Sequence, residues 1–383
     1  MKYCRKCLAN DLRPNAKFNA DGVCIACEYY EVLGHEQNRV DSKLLSLKSW
    51  IDELKARKSR KRFNEQYDCI VGVSGGKDST RQAHWVRDRL GMNPLLVCGA
   101  YPPLQMTEIG GDNLANLISM GFDLEVVCPA PQTASELSLA SFRLFGNVCK
   151  STEMGLFAVV PRIAIEKRIP FIFWGENPAL QVGDSKTLGE NEFDGNNLRN
   201  LNTLVDGGDA WMSSASHDNH LTYYQYPDFS IMTKIGVDIV YLGPAWDDWS
   251  NDQNSIYASL QGLELRPHDL LTTGDISGAS MLDEEFTNIN MMLKYYKFGF
   301  GRATDTVNER IRDRAITREE GIEIVEKYDG ICGDAIIERY CKYVGIDSVE
   351  FWNIANGYVN NKLFDVVEGQ RPVRKFTVGI DYD

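Results

Sequence analysis

Residues 67–80 have the sequence YDCIVGVSGGKDST, and this stretch decides the fold. Its first half is apolar and typical of a buried strand, and apolar residues recur at helical spacing over 83–90. Between them lies a glycine-containing loop, residues 74–79, in which Ser74 and Ser79 offer hydroxyl donors. Glycines let backbone N–H groups turn toward a phosphate, and a helix N-terminus adds its positive end. The stretch therefore predicts an α/β fold with an anion site.

The charges of this loop indicate which kind of anion site it is. It is not a Walker A motif, because only Gly75 and Gly76 precede Lys77 and an aspartate, Asp78, follows it. Lys77 offers a point charge for phosphate. A carboxylate repels phosphate unless a cation lies between them, so Asp78 predicts Mg²⁺ bridging to a pyrophosphate. The structural alternative is an ordinary Gly-Gly turn between a strand and a helix.

The net charge and the apolar runs of the 383-residue chain argue against two classes of partner, nucleic acids and membranes. Its net charge is −13, with a pI near 5.0, which argues against a broad nucleic-acid surface despite one basic run at 55–62. No apolar run approaches the ~18 residues that span a membrane, and the N-terminus MKYCRKC has no apolar signal segment. We therefore expect a cytoplasmic protein that binds neither nucleic acid nor membrane.

Two cysteine pairs near the N-terminus predict a metal site. Cys4 and Cys7 form one C-x-x-C pair, Cys24 and Cys27 form another, and 16 residues separate the pairs. This spacing is typical of structural Zn²⁺, because two such pairs fill a tetrahedral ion and leave no position for water. The alternative, a pair of redox-active C-x-x-C motifs, lacks the flanking strand and helix. The predicted site contributes to folding and not to catalysis.

Strand and helix patterns alternate from residue 67 onward. Five apolar runs predict strands, at 67–73, 94–100, 124–128, 170–174 and 237–242. Alternation of this kind predicts a doubly wound parallel sheet of the α/β class. Ligands of such sheets bind beyond the carboxyl ends of the strands.

We therefore expect four further residues at the crevice with the glycine loop. Gly99 ends the second strand, and Gly175, Glu176 and Asn177 follow the fourth. The alternative for the latter group is a plain turn before Pro178.

The chain divides by composition into four consecutive segments. These are a four-cysteine module at 1–30, a linking helix at 31–64, a nucleotide domain at 65–265 and a mostly helical region at 266–383. Residues 181–220 are rich in Gly, Asn and Asp and predict a surface insertion or a lid. Trp246 and Trp249 flank two aspartates and fit either ring binding or simple packing.

One later loop also carries charge. Lys297 precedes a glycine-bearing loop with Arg302 and Asp305, which could contact nucleotide phosphates, the substrate or each other. Lys297 and Arg302 are the candidates for contacts to phosphate or to the carboxylate of a substrate.

The hexapeptide SGGKDS resembles the PP-loop of the N-type ATP pyrophosphatases, and a wider resemblance covers nearly the whole chain. The chain is similar to the N-acetyl sugar amidotransferases of bacterial lipopolysaccharide and flagellin-glycan synthesis. The stretches that carry the similarity are KYCRKCLANDLRPNAKFNADGVCIAC, VSGGKDST, FWGENPA and KYYKFGFGRATDTVNERIRDRAITREE. Two stretches depart from the family pattern, Leu8-Ala9-Asn10 and Asn308-Glu309-Arg310.

The resemblance implies a reaction and its participants. An acetamido group of a sugar, nucleotide-linked or a nonulosonic acid, becomes an acetamidino group through adenylation by ATP and attack by ammonia. It implies that the PP-loop holds the pyrophosphate with Mg²⁺, and that Glu176 and Asn177 line the reaction site. Glu176 is then the candidate for taking a proton from ammonia or for ordering a metal.

The source of ammonia follows from what the sequence lacks. The chain begins Met1-Lys2 and not with a catalytic cysteine, and the Cys332 segment GICGD does not complete a G-x-C-x-G elbow. We therefore expect a partner glutaminase, resembling that of histidine biosynthesis, with a possible cyclase-like companion. Two other functions stay open: a PP-loop tRNA thiolation enzyme and a non-catalytic nucleotide-binding sensor.

Overall fold

The computed structural model shows a mixed α/β protein. It describes residues 1–14, 16–33, 39–58, 61–175, 187, 189–201, 204, 208–216, 220–246, 249–267, 270–367 and 369–382. The strands there are β1 (Cys69–Gly72), β2 (Pro94–Gly99), β3 (Asp123–Val127), β4 (Phe171–Trp174), β5 (Asp238–Tyr241), β6 (Phe364–Asp365) and β7 (Val373–Arg374). The helices there are α1 (Ile25–Leu33), α2 (Arg39–Arg57), α3 (Lys77–Leu90), α4 (Glu108–Ser119), α5 (Pro131–Phe145), α6 (Lys150–Lys167), α7 (Gly208–Ala215), α8 (Phe229–Ile235), α9 (Asn251–Leu260), α10 (Leu270–Thr273), α11 (Thr287–Phe298), α12 (Arg302–Arg312), α13 (Arg318–Tyr328), α14 (Asp334–Val344) and α15 (Ser348–Asn356).

The first five strands form one parallel sheet in the order β3-β2-β1-β4-β5, so the predicted doubly wound α/β class is confirmed. The chain moves outward from β1 to β3 and then returns to add β4 on the other side of β1. Val71 of β1 is therefore in register with Phe173 of β4, although about a hundred residues separate them. The strand order reverses at this pair, and the crevice beyond their carboxyl ends is the usual ligand position in such sheets.

Helices cover both faces of this sheet, which explains why β1, β2 and β4 are apolar without alternation. Ile70 and Val71 are neighbours on β1, point to opposite faces and are both fully buried. Val71 packs in a cluster with Val86 of α3, whereas Ile70 packs with Val160 of α6. The unbroken apolar run before the glycine loop is thus explained by burial of β1 on both faces of the sheet.

The chain forms two compact units, each assembled from separate stretches of sequence. The sheet unit comprises residues 37–137 and 150–265, and the helical unit comprises residues 1–36, 138–149 and 266–383. The sequence divides the chain into consecutive segments, whereas the structure places the four-cysteine module with the C-terminal helices. The physical reason is that a module this small cannot bury a core of its own and must pack on another element.

The linking helix predicted at 31–64 appears as α1 and α2, and α2 belongs to the sheet unit. Its apolar stripe, with Leu47, Ile51 and Leu54, is buried in the same cluster as β1 and α3. The stripe is therefore core, as its helical spacing predicts.

The described part of the Gly- and Asn-rich segment 181–220 closes one edge of the sheet. Asp194 forms a β-bridge with Val240 of β5, and Asn196 accepts a hydrogen bond from the Ile239 N–H at 3.0 Å. Phe193 is buried in the core. An edge strand exposes unpaired backbone groups, and this contact covers some of those of β5.

The helical unit is built around α11 to α15 with an aromatic core. Phe286, Tyr340 and Phe351 are almost fully buried, and their rings meet edge to face. A capping box between Thr317 and Glu320 opens α13. No helix among the described residues reaches the length and apolarity that a membrane span requires.

The N-terminal module packs on α12 within the helical unit. Leu8 lies in the aromatic core with no exposed surface, and its N–H donates to Asn308 Oδ1 at 2.6 Å. Asn10 donates through its amide to the carbonyl oxygen of Phe298 at 3.0 Å. Leu8 and Asn308 belong to the two stretches that depart from the family pattern, so both departures lie at one buried contact.

Candidate functional site

The glycine loop joins β1 to α3 in a conformation that favours glycine at one position. Gly75 has φ = +80°, a backbone region that residues with a Cβ rarely adopt. A Cβ on Gly75 would also lie 3.1 Å from the backbone nitrogen of Leu114 on α4. Helix α3 then begins at Lys77 after Gly76, whose N-cap position has no side-chain cap. The loop therefore directs the first turn of α3 toward the crevice with its N-terminal N–H groups uncapped by a side chain.

The two serines of the loop hold its shape. Ser79 Oγ accepts from the Ser74 N–H at 3.3 Å and donates to the carbonyl oxygen of Gly76 at 3.2 Å. Ser74 Oγ in turn accepts from the Gly76 N–H at 3.3 Å. Both hydroxyls are half-buried at these contacts, so their first role is to fix the loop around the site.

The charged residues of the loop form a network with a helix far away in sequence. Lys77 Nζ donates to Asp78 Oδ2 at 2.5 Å, and Asn254 Nδ2 of α9 donates to Asp78 Oδ1 at 2.6 Å. Asn254 Oδ1 accepts from Arg81 Nη1 at 2.7 Å. Lys77 is buried, whereas the Asp78 side chain is 35% exposed. Each Asp78 oxygen keeps a second lone pair beyond these bonds, so the carboxylate can also serve a cation.

Asn254 and Arg81 are site residues that the sequence did not indicate. Asn254 is fully buried on α9, and Arg81 lies one turn after Lys77 on α3. A polar residue at zero exposure is informative only once burial is known, because no local motif surrounds Asn254. The sequence shows that Arg81 is charged, but it does not show that Asn254 is its partner.

The tryptophan segment supports this network by packing. Trp246 stacks on Trp85 with ring centroids 5.0 Å apart, and Trp249 meets Trp246 edge to face at 4.7 Å. The Arg81 guanidinium lies 5.5 Å from the Trp246 ring. Of the two roles that the sequence left open, the structure shows packing for Trp246. The two aspartates between the tryptophans lie outside the described residues.

The glycines predicted at the other strand ends allow close packing around the crevice. A Cβ on Gly175 would lie 2.9 Å from Oε1 of Gln82, a buried α3 residue whose Nε2 donates to the Phe173 carbonyl oxygen at 2.8 Å. A Cβ on Gly99 would lie 3.1 Å from Leu156. Both positions therefore let helices approach β2 and β4.

Glu176 and Asn177 lie outside the described residues, so their predicted roles stay predictions.

Lys297, predicted to contact substrate, caps a helix in the helical unit. Its Nζ donates to the carbonyl oxygens of Phe145 at 2.6 Å and Gly146 at 2.7 Å, at the end of α5. Burial lowers its pKa to about 8. A cation at a helix C-terminus satisfies carbonyls that have no intrahelical partner. The contacts described for Lys297 are thus structural.

Arg302 and Asp305 also have partners within the helical unit. Arg302 is buried and donates through Nη1 to Asn288 Oδ1 at 2.8 Å. Asp305 pairs with Lys294 at 2.7 Å and with Arg13. Desolvation opposes ionisation of Asp305, but Lys294 and Arg13 outweigh it and hold the pKa of this carboxyl below its usual range. Asp305 therefore ties the N-terminal module to α11 and α12.

The Lys297 contact makes a pH prediction. Its folded-state pKa of about 8 lies below its ordinary value of 10.5, so above pH 8 the unfolded chain binds more protons at this site than the folded chain. Stability contributed through Lys297 must rise with pH across this window. We expect the urea midpoint of the wild type to rise relative to that of Lys297→Met between about pH 8 and 10.5. A pH-independent difference between the two proteins would contradict this assignment.

The four predicted metal ligands meet at one point in the helical unit. Cys4, Cys7, Cys24 and Cys27 are all buried, and their Sγ atoms lie within 4.8 Å of one another. The Sγ atoms of Cys7 and Cys24 are 3.7 Å apart, close to the ~3.8 Å separation that a tetrahedral Zn–S₄ centre implies. The donor set and spacing therefore fit a four-coordinate metal.

Backbone N–H groups point at two of these sulfur atoms, as they do at metal-bound thiolates. The backbone N–H groups of Lys6 and Ala9 donate to Cys4 Sγ and Cys7 Sγ at 3.4 Å each. Hydrogen bonds among the four side chains lower the pKa of the Cys4 thiol but raise those of Cys7 and Cys27, so four thiolates together require a cation. A metal binds the deprotonated form, so this geometry suits a metal site.

Comparison with known families identifies the C-terminal region. Residues 283–376 match the C-terminal domain of WbpG-like LPS biosynthesis proteins. The match covers about a quarter of the chain and includes Lys297, Arg302 and Asp305. It supports the resemblance to the N-acetyl sugar amidotransferases, which the sequence carries through stretches at both ends of the chain.

No curated protein matches the chain at a significant level. Among solved structures, the chain is similar to the U34-tRNA thiolase NcsA from Methanococcus maripaludis, solved with its [4Fe-4S] cluster. The identity is 14%, and the similarity covers 90% of this chain and 96% of that chain with a TM-score of 0.32.

Proposed function

We propose that the chain is an ATP-dependent amidotransferase of bacterial surface-glycan biosynthesis, acting on the acetamido group of a sugar in the synthesis of lipopolysaccharide O-antigen or flagellin glycan. One observation carries the proposal: a single chain combines a PP-loop between β1 and α3 with a C-terminal segment that is WbpG-like. The loop supports use of a nucleoside triphosphate, and the C-terminal match supports a role in glycan synthesis.

The geometry of the loop suits pyrophosphate as the group it holds. The uncapped N-terminus of α3 offers N–H donors and a positive dipole, and Lys77 lies in its first turn. Mg²⁺, when bound near Asp78, offsets negative charge that develops on the departing pyrophosphate. Asn254 orients the Asp78 carboxylate, which positions it for that role.

The proposed reaction exchanges the amide oxygen for nitrogen. The acetamido oxygen attacks the α-phosphorus of ATP, a P–O bond forms, and the bond to pyrophosphate breaks. Ammonia adds to the amide carbon and loses a proton, for which Glu176 is the proposed base. The C–O bond then breaks, and AMP leaves with the former amide oxygen. The sugar gains an NH group in place of oxygen, so the products are the acetamidino sugar, AMP and pyrophosphate.

Ammonia is proposed to come from a partner glutaminase and not from this chain. A glutaminase cysteine must be readily deprotonated to act as a nucleophile. Burial instead raises the pKa of Cys332 to about 12, and its side chain is 2% exposed. Cys332 is therefore unsuited to that role, in agreement with its incomplete elbow motif. A cyclase-like companion remains part of the proposal.

The need for a readily deprotonated cysteine also weighs against tRNA thiolation, the other enzymatic function that the sequence left open. Sulfur transfer on such enzymes requires an accessible, activated cysteine near the nucleotide. Outside the four-cysteine site, the cysteines are buried except Cys128, and partial desolvation raises the pKa of the Cys128 thiol. The net charge of −13 also opposes binding of tRNA.

The test is release of pyrophosphate and AMP by the purified chain with Mg·ATP and ammonium. A panel of nucleotide-linked 2,3-diacetamido sugars and nonulosonic acids serves as substrate, with bulk tRNA as the control. We expect sugar-dependent release and a product in which NH replaces oxygen by mass. Glutamine is expected to replace ammonium only when the glutaminase is present. Release with tRNA alone would overturn the proposal in favour of RNA modification, and ATP retention without pyrophosphate release would favour a sensor.

A further inference from the structure

Asn254 of α9 links two charged residues of α3 behind the glycine loop. Its Nδ2 donates to Asp78 Oδ1 at 2.6 Å, and its Oδ1 accepts from Arg81 Nη1 at 2.7 Å. Asn254 has no exposed surface, so these two bonds serve a side chain that water does not reach. A buried amide is costly unless its groups are bonded, and here both ends of the amide are used on α3. Asn254 is therefore committed to this contact.

Arg81 determines which way the Asn254 amide points. A guanidinium donates hydrogen bonds and accepts none, so the amide must turn its oxygen toward Arg81 and its NH₂ group toward Asp78. Arg81 is itself buried, and its guanidinium lies 5.5 Å from the Trp246 ring and 5.4 Å from the Tyr257 ring. Aromatic faces attract such a cation and hold it in place. The hydrogen bonds thus run in one direction, from Arg81 through Asn254 to Asp78.

The same arrangement anchors Asp78 without cancelling its charge. Arg81 lies three positions after Asp78 on α3, a spacing at which Asp and Arg side chains commonly pair directly. In the part of the chain that the structure describes, the ion pair of Asp78 is with Lys77, and Arg81 reaches Asp78 only through the neutral amide. A guanidinium on Asp78 would compete with a metal cation for the carboxylate. An amide donor adds no charge, so Asp78 keeps its attraction for a cation.

Asn254 is also the anchor of Asp78 that does not depend on the nucleotide. The other anchor, Lys77, is the residue that the proposed function places near the pyrophosphate. A carboxylate held by Lys77 alone would change its orientation whenever Lys77 turned to a phosphate. Asn254 lies on a different helix and is fully buried, whereas the Asp78 side chain is 35% exposed. The relay therefore fixes the buried side of Asp78 and leaves its exposed side available.

We infer that Arg81 and Asn254 are positioning residues for the divalent cation of Mg·ATP, and that they act through Asp78, whose carboxylate they hold in one orientation. The role of the cation rests on the proposed function, whereas the relay rests on the contacts of the three side chains. The consequence is specific: the gain in affinity that Mg²⁺ gives to ATP depends on Arg81 and Asn254.

The test measures ATP binding to the full chain by calorimetry, without sugar, once with excess Mg²⁺ and once with EDTA. We expect the wild type to bind ATP more tightly with Mg²⁺. Asn254→Leu preserves the size of the side chain and removes both hydrogen bonds. It is expected to reduce the gain from Mg²⁺ about tenfold or more, as for a lost hydrogen bond to a charged group, and to leave metal-free binding unchanged. Equal losses with and without Mg²⁺ would show a purely structural role and overturn the inference, as would an unchanged gain.

Two controls accompany Asn254→Leu. Gln253→Leu replaces an amide by leucine at the neighbouring, exposed position of α9 and is expected to bind like the wild type. Raising the Mg²⁺ concentration is expected to restore nucleotide affinity in Asn254→Leu, because mass action compensates a weakened cation site. Affinity that stays low at every Mg²⁺ concentration would contradict an effect through the cation.

Variants of Arg81 test the relay itself and do not require Asn254→Leu to fold. Arg81→Met frees the amide to turn and is expected to reduce the gain from Mg²⁺, whereas Arg81→Lys keeps a group that only donates and is expected to retain most of it. In the double variant of Arg81→Met and Asn254→Leu, the loss is expected to be no larger than in Asn254→Leu alone, since both residues act on one carboxylate. Additive losses, or equal behaviour of Arg81→Met and Arg81→Lys, would overturn the relay.

These measurements separate the inference from the proposed function, because none of them uses a sugar. Sugar-dependent pyrophosphate release by the wild type, with an unchanged gain from Mg²⁺ in Asn254→Leu, would refute the relay alone. Loss of that gain in the variants, without sugar-dependent release by the wild type, would refute the amidotransferase alone.

Discussion

Replacing Lys77 with methionine is expected to reduce sugar-dependent pyrophosphate release by a factor on the order of 10² to 10³, the usual cost of removing one group that stabilises charge in a transition state. Lys77 lies in the first turn of α3 with its ammonium group 2.5 Å from Asp78 Oδ2. Negative charge grows on the pyrophosphate as it leaves, and a buried cation close to that charge is more effective than one in water. The measurement is kcat for pyrophosphate release at saturating ATP.

The control for this prediction lies on the same helix. Arg89→Met removes a positive charge at the exposed C-terminal end of α3 and is expected to keep wild-type turnover. Both variants should show a cooperative thermal transition, which separates loss of chemistry from loss of fold. A folded Lys77→Met protein with wild-type turnover would mean that the loop is not the ATP site.

Replacing Cys24 with serine is expected to remove the bound metal and to destabilise the helical unit. We propose that the metal is structural Zn²⁺, because four buried thiols fill a tetrahedral ion completely. Zinc binding supplies on the order of 10 kcal/mol in small zinc-binding peptides, so loss of even part of it should lower the melting temperature by about 10 °C or more. The measurements are metal content by mass spectrometry and thermal unfolding.

The effect should extend beyond the cysteines, because the N-terminal module is part of the helical core. Leu8 follows Cys7 directly and is fully buried among the C-terminal helices, where Asn308 accepts its N–H. Cys128→Ser is the matched control, since Cys128 is exposed and lies in the sheet unit. Full zinc content in Cys24→Ser, or iron in place of zinc in the wild type, would contradict the prediction.

The structure also explains why few cysteines here suit redox or nucleophilic chemistry. Cys69 on β1 is fully buried, and burial raises its pKa well above the usual value. Burial likewise raises the pKa of Cys341 to about 11. Such thiols behave as small apolar core residues. Both lie in regular elements, Cys69 in β1 and Cys341 in α14.

Features that depend on neighbouring residues in the chain could be predicted from the sequence. The strand, loop and helix of residues 67–80 follow from local apolar spacing and from glycine, and the structure places them where the pattern predicts. The two C-x-x-C pairs could also be predicted, because each pair is a local motif of four residues. Only the contact between the two pairs joins positions that are distant in the sequence. The parallel direction of the strands follows from their alternation with helices along the chain.

Contacts between residues that are distant in sequence were decided by the tertiary structure alone. Asn254 orients Asp78 across 176 positions of the chain, and no local motif marks it. Lys297 was predicted as a substrate contact from its charge beside a glycine loop, whereas its position in the fold gives it two carbonyl oxygens at the end of α5. The backbone preferences of single residues and the spacing of apolar residues thus determined the strands, the helices and the anion loop. Packing determined which polar groups became hydrogen-bond partners. The reason is that a buried polar group without a partner is costly, so buried polar groups are found next to partners.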